Sequence, residues 1–171
     1  MKAMKLLGDV DKIVVHHTGS RVLRGFDSPS LVRFRHKFIR GWSDIGYHYV
    51  IGNGKLTKDG KIYEGRDLDF EGAHTTRNQG NKNSIAITLI GNFNHNIPTE
   101  EQWKSLVGFI KSNSRVYGIP LEHVYGHREL DSGTDCPGKN FNMNKLRRDV
   151  LEYEFMENYR ISRMHIDELF A

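Results

Sequence analysis

A central β-sheet flanked by helices, an α/β fold, is what three features of this 171-residue chain predict. One is the run SIAITLIG over residues 84–91, apolar at almost every position, as in a strand covered on both faces. Another is the β-branched run Ile13-Val14-Val15, which stops at His16-His17-Thr18-Gly19 and reads as a buried strand ending in a turn. The third is the way such strands alternate with segments of helical period.

The remaining elements follow in order. Ser28-Pro29 supplies an N-cap and a first-turn proline for a helix to about residue 40. Its apolar stripe is expected to be Leu31, Phe34, Phe38 and Trp42, with Arg33, Arg35, Lys37 and Arg40 on the opposite face. Residues 47–51 alternate as a strand, and Gly52-Asn53-Gly54 with Asp59-Gly60 marks a ribbon returning through 61–64. A loop rich in glycine, histidine and asparagine is expected over 65–83. Thr99-Glu100-Glu101-Gln102 is a capping box for a helix whose Trp103, Leu106, Val107, Ile110 and Tyr117 keep a 3.6-residue period until Gly118. Residues 123–127 read as a short strand or its approach, 128–139 as a loop and 143–160 as a polar helix. The expected organisation is one domain over 8–145, with a helical C-terminal extension, 146–171, packed on it.

Composition excludes several classes. Lys plus Arg total 25 against 21 Asp plus Glu, a net charge of +4 that nucleic acid, a membrane face or an anionic polymer could each exploit. No apolar run approaches the ~18 residues of a membrane-spanning helix. The single cysteine, Cys136, excludes an intramolecular disulfide and leaves that residue free, buried, catalytic or metal-ligating. The opening MKAMKLLGDVDK lacks an h-region and a cleavage site, so no signal peptide is expected and the protein starts in a cytoplasm.

Chemistry concentrates in His16, His127 and Cys136, each at the end of an expected strand or in the loop beyond it. Two imidazoles and a thiolate suit Zn²⁺, and three protein ligands leave a fourth tetrahedral position for water, the catalytic pattern. Residue type alone favours burial over ligation for histidine and cysteine. Side chains alternate along a strand, so only one of His16 and His17 can enter a given site. A nucleic-acid binder with structural zinc would need a closed four-ligand site and an aromatic-basic surface, and neither is apparent.

The strings VHHTG, GWSDIGYHYVI, GRDLDFEGAH, NSIAITLIGNF, GHRE and DCPG stand in an order and spacing that resemble one family. It is the zinc-dependent N-acetylmuramoyl-L-alanine amidases of the phage-lysozyme and peptidoglycan-recognition-protein type, and the resemblance covers about residues 12–140. It implies a central mixed β-sheet with flanking helices and a groove that receives the glycan-linked stem peptide of peptidoglycan. It also implies that His16, His127 and Cys136 bind Zn²⁺, that Tyr47 stabilises the oxyanion, and that His74 binds substrate. Thr134, a candidate catalytic residue, stands where some members carry a lysine; it matches the recognition-protein branch and can donate one hydrogen bond but no charge, and Thr88 stands where another branch has a glutamate, which leaves the general base open. The implied reaction is hydrolysis of the amide between N-acetylmuramic acid and L-alanine. The setting implied is a phage endolysin, a monomer held in the host bacterial cytoplasm until lysis, with peptidoglycan as partner and neither nucleic-acid binding nor stable membrane insertion. A wall-recycling amidase would use the same chemistry in the cytoplasm. A non-catalytic recognition module is the alternative, but that branch typically lacks the ligand cysteine that this chain keeps. Arg66 is expected to brace the sheet edge through a carboxylate. Glu129 is expected to orient His127 or to pair with a basic residue.

Overall fold

The structure, a computed structural model, describes residues 4–19, 25–75 and 77–153. Five strands form one mixed sheet in the order β3-β2-β4-β1-β5. Strand β1 (Lys12–His17) lies between β4 (Ser84–Leu89) and β5 (Val124–Gly126), parallel to both. Strand β2 (Tyr49–Ile51) runs parallel to β4 and antiparallel to the edge strand β3 (Ile62–Glu64). The β-branched runs fill the sheet centre, and all six residues of β4 are buried, as a doubly covered strand requires.

Alternation divides the sheet into two faces. Ile13, Val15, Ile85, Ile87 and Leu89 join the main core with Leu106 and Ile110 of α2 (Glu100–Tyr117). That helix starts at the expected capping box, with Thr99 accepting from the Gln102 amide and Gln102 reaching back to Thr99. It ends at Gly118, whose φ of 66° is the left-handed geometry that glycine accommodates. Residues 143–153 are helical, and Leu146 and Val150 lie in the same core. The rest of the expected extension, 154–171, lies outside the described residues. No helix among the described residues is long and apolar enough to cross a membrane.

The other face carries Val14, His16, Val50, Ser84, Ala86 and Thr88, and Val32 of α1 (Pro29–Phe34), a helix that Ser28 caps, packs on its Val50. This helix continues as a π-helical turn, Arg35–Ile39. The expected apolar stripe is not its buried side. Phe34 and Phe38 are 53% and 73% exposed, whereas Val32 and His36 are buried. Two ion pairs set this rotation: Arg33 bonds Asp44, and Arg35 bonds the fully buried Asp27. The wider π turn, closed by Arg40 N–H donating to Arg35 C=O, also shifts the phase of the residues that follow.

Candidate active site

His16 projects from the end of β1 onto the face that carries Thr88 and is buried. Strand β5 runs directly into a single helical turn, α3 (His127–Leu130), where a loop was expected from residue 128. Two bonds make that turn: Glu129 accepts from the Gly126 amide at 2.7 Å, and Asp131 N–H donates to His127 C=O. Arg128 N–H then donates to Cys136 C=O at 2.7 Å, drawing the cysteine loop against the start of α3, next to His127. His16, His127 and Cys136 thereby converge, their donor atoms within 4.8 Å of one another.

This donor set fits a metal ion. Burial holds the His16 and His127 imidazoles below their usual pKa, well below in the case of His16, so both are neutral ligands at neutral pH. The buried Nε2 of His127 has no hydrogen-bond partner among the described residues, and the nearest Asp131 oxygen stands 3.9 Å away. Burial pushes the Cys136 thiol up to about 12, so a bound cation would have to displace its proton. The His17 amide, 3.4 Å from Cys136 Sγ, donates toward the sulfur. His17 itself points the other way, as alternation requires, with Nδ1 accepting from Phe93 N–H.

Tyr47 stands beside this group, its ring 5.2 Å from that of His16. Burial raises its phenol above the ordinary tyrosine value, so it is a hydrogen-bond donor at any working pH. It precedes β2 rather than beginning it, the strand starting at Tyr49. Its backbone is held from the far side: Arg66 N–H donates to Tyr47 C=O at 2.8 Å, and a Cβ on Gly65 would lie 2.3 Å from the same oxygen. Arg66 braces this edge through backbone carbonyls of Asp44, Ile45 and Glu71, not through the expected carboxylate. Three accepting carbonyls use the guanidinium's fork as well as a carboxylate would. Thr88 is fully buried on the same face, and its hydroxyl has no hydrogen-bond partner among the described residues.

His74 lies against His16, its Nδ1 2.9 Å from His16 Nε2. Thr134 is half-buried, its hydroxyl accepting from the Cys136 amide at 3.1 Å. Glu129 pairs with Arg147 at 2.7 Å, the second of the two expected roles. Two neighbours were not singled out from the sequence. Ser84 receives the far side of His74, and its only sequence signal is a polar residue opening an apolar strand. His36 accepts from Gly46 N–H and lines a cavity of about 270 Å³ beside Tyr47, together with Thr18, Arg35 and Arg40. Nothing in its helical position distinguishes it beforehand.

Comparison with known proteins identifies the family. The family model for N-acetylmuramoyl-L-alanine amidase matches residues 7–139. Peptidoglycan-recognition protein SC2 of Drosophila melanogaster is 35% identical over 139 residues, covering 78% of this chain and 71% of its own. Among solved structures, the endolysine N-acetylmuramoyl-L-alanine amidase LysCS from Clostridium intestinale superposes with a TM-score of 0.73 at 30% identity, covering 87% of this chain and 88% of its own. A variant of Drosophila peptidoglycan-recognition protein LB, solved with tracheal cytotoxin, gives 0.67 at 26% identity, with 82% of each chain covered. With the mixed sheet and the His-His-Cys cluster in place, this chain belongs to the N-acetylmuramoyl-L-alanine amidase family.

Proposed function

We propose that the protein is a zinc-dependent hydrolase that cuts the amide between N-acetylmuramic acid and the first L-alanine of the peptidoglycan stem, acting as a phage endolysin. The observation that carries this reading is the convergence of His16, His127 and Cys136 beside Tyr47 on the Thr88 face of the sheet. Zn²⁺ held by two neutral imidazoles and one thiolate would supply a Lewis acid and lower the pKa of a water to ~7. The chain's own residues supply the rest. Tyr47 keeps its proton and donates to the substrate carbonyl oxygen as negative charge develops there. Thr134 accepts from the Cys136 amide, which leaves its own O–H to donate toward the leaving amine. The endolysin setting is supported by the likeness to LysCS. A wall-recycling role would use the same residues on soluble fragments.

The test is purified protein on isolated intact peptidoglycan, with new L-alanine amino termini counted against new reducing ends. Alanine termini that vanish with a chelator and return with zinc are the expected result. Binding without new ends of either kind would leave a recognition module. Cleavage of soluble fragments alone would favour the recycling enzyme.

A further inference from the structure

We propose that Ser84 and His74 are positioning residues that fix the tautomer of His16 and bare its Nδ1 toward Cys136. The argument starts at the strand. Ser84 Oγ lies 2.7 Å from Gly80 C=O and 3.2 Å from Asn81 C=O. Carbonyl oxygens only accept, so the hydroxyl hydrogen is committed to them and the Ser84 lone pairs face away. His74 Nε2 sits 3.1 Å from that oxygen, a contact that is favourable only if Nε2 carries the hydrogen. A neutral imidazole protonated at Nε2 has a bare Nδ1. His74 Nδ1, 2.9 Å from His16 Nε2, must therefore accept, which places the His16 proton on Nε2 and leaves its Nδ1 as a lone pair. That Nδ1 is 3.5 Å from Cys136 Sγ, on the side where the donors converge.

The loop holding His74 is fixed independently of this chain of contacts. Asn81 Oδ1 accepts from both the His74 and the Thr75 amides at 2.9 Å. Ser84 is fully buried, and His74 is 8% exposed. Both ring nitrogens of His74 are thus engaged inside the protein, and neither is left to hold a substrate carbonyl. This assigns His74 to the orientation of a ligand rather than to substrate. Outer partners of this kind typically contribute 10–100-fold to metal affinity.

The assignment rests on the reading of His16 as a zinc ligand, and its test separates the two. Long-range proton–nitrogen correlation on the metal-free and zinc-loaded protein reads each imidazole's tautomer. Zinc affinity is measured by chelator competition for the wild type, Ser84→Ala and His74→Leu. The expected result is an Nε2–H form for both His74 and His16, with affinity lowered about 10-fold or more in each variant. Ser84→Thr, which keeps the hydroxyl, should restore the wild-type tautomers. Because His74→Leu can disturb the loop, Ser84→Ala, which removes one oxygen, is the deciding variant. An Nδ1–H form of His74, or unchanged zinc affinity with only a raised KM for substrate, would overturn the relay and return His74 to the substrate. A wild-type protein that takes up no zinc would instead overturn the metal reading beneath it.

Discussion

The two faces of the sheet are made from alternate residues of the same strands, yet they are stabilised by different physics. On one, Ile13, Val15, Ile85, Ile87 and Leu89 meet the apolar sides of α2 and the 143–153 helix. On the other, His16, Ser84 and Thr88 are as thoroughly withdrawn from water, at 1%, 0% and 0% exposure. Burial of the first set is favourable in itself, at roughly 25 cal/mol per Å². Burial of the second costs desolvation, which only hydrogen bonds or a bound cation offset. The contrast teaches that stability and chemistry have been assigned to opposite sides of one element. A single strand such as β4 serves both without one interfering with the other.

Given that division, single substitutions should separate the two properties. The largest effect is expected from Ile87→Ala, which leaves a cavity in the apolar face and should cost about 2–5 kcal/mol in denaturant unfolding. The fraction that remains folded should keep its turnover per mole. Tyr47→Phe should do the reverse, lowering turnover about 10²- to 10³-fold, or ~2.7–4 kcal/mol in the barrier, with zinc content unchanged. Loss of turnover in a folded Ile87→Ala protein, or full activity in zinc-loaded Tyr47→Phe, would break the comparison.

A smaller effect sharpens it from the side of pH. Burial lowers His36 from 6.5 to about 4, with Arg40 and Arg35 adding to the shift. The unfolded chain therefore takes up a proton near pH 6.5 that the folded protein refuses until about pH 4. Stability contributed by the neutral ring is complete above that window and is lost as pH falls through it. His36→Asn, which can still accept from Gly46 N–H, should flatten this acid loss by about 1–2 kcal/mol after solvent screening. An acid profile identical to the wild type would show that another group carries the loss.

Much of this was legible in the residues, for identifiable reasons. Strands β1 and β4 and helix α2 declare themselves because their patterns are local: a β-branched run, an uninterrupted apolar run, a capping box ahead of a 3.6-residue period. That only one of His16 and His17 can join the cluster also follows from local geometry, since neighbouring strand residues face opposite ways; the tertiary contact of His17 with the Phe93 amide is what turns that residue away. The orientation of α1 was not legible. Its hydrophobic count favours the Leu31–Phe34–Phe38 side, but the buried Asp27 draws Arg35 in and Asp44 draws Arg33, so Val32 and His36 face the sheet instead. Those partners lie outside the helix, beyond the reach of any periodicity argument. The turn at α3 was missed for a similar reason. It depends on the Glu129 side chain returning to the Gly126 amide and on the Cys136 carbonyl arriving from a separate loop.

The chain's local order decided which side chains were available: a strand ending in a histidine pair, another strand running to His127, and one cysteine in a loop after it. Through the six short motifs it also decided the family. Tertiary structure alone decided how those side chains stand to one another, because residues up to 120 positions apart meet there. The directions of their protons belong to the same level. A hydrogen placed on Ser84 settles His74 and through it His16, and such a chain of donors and acceptors exists only after the loop, the strand and the sheet have been assembled around it.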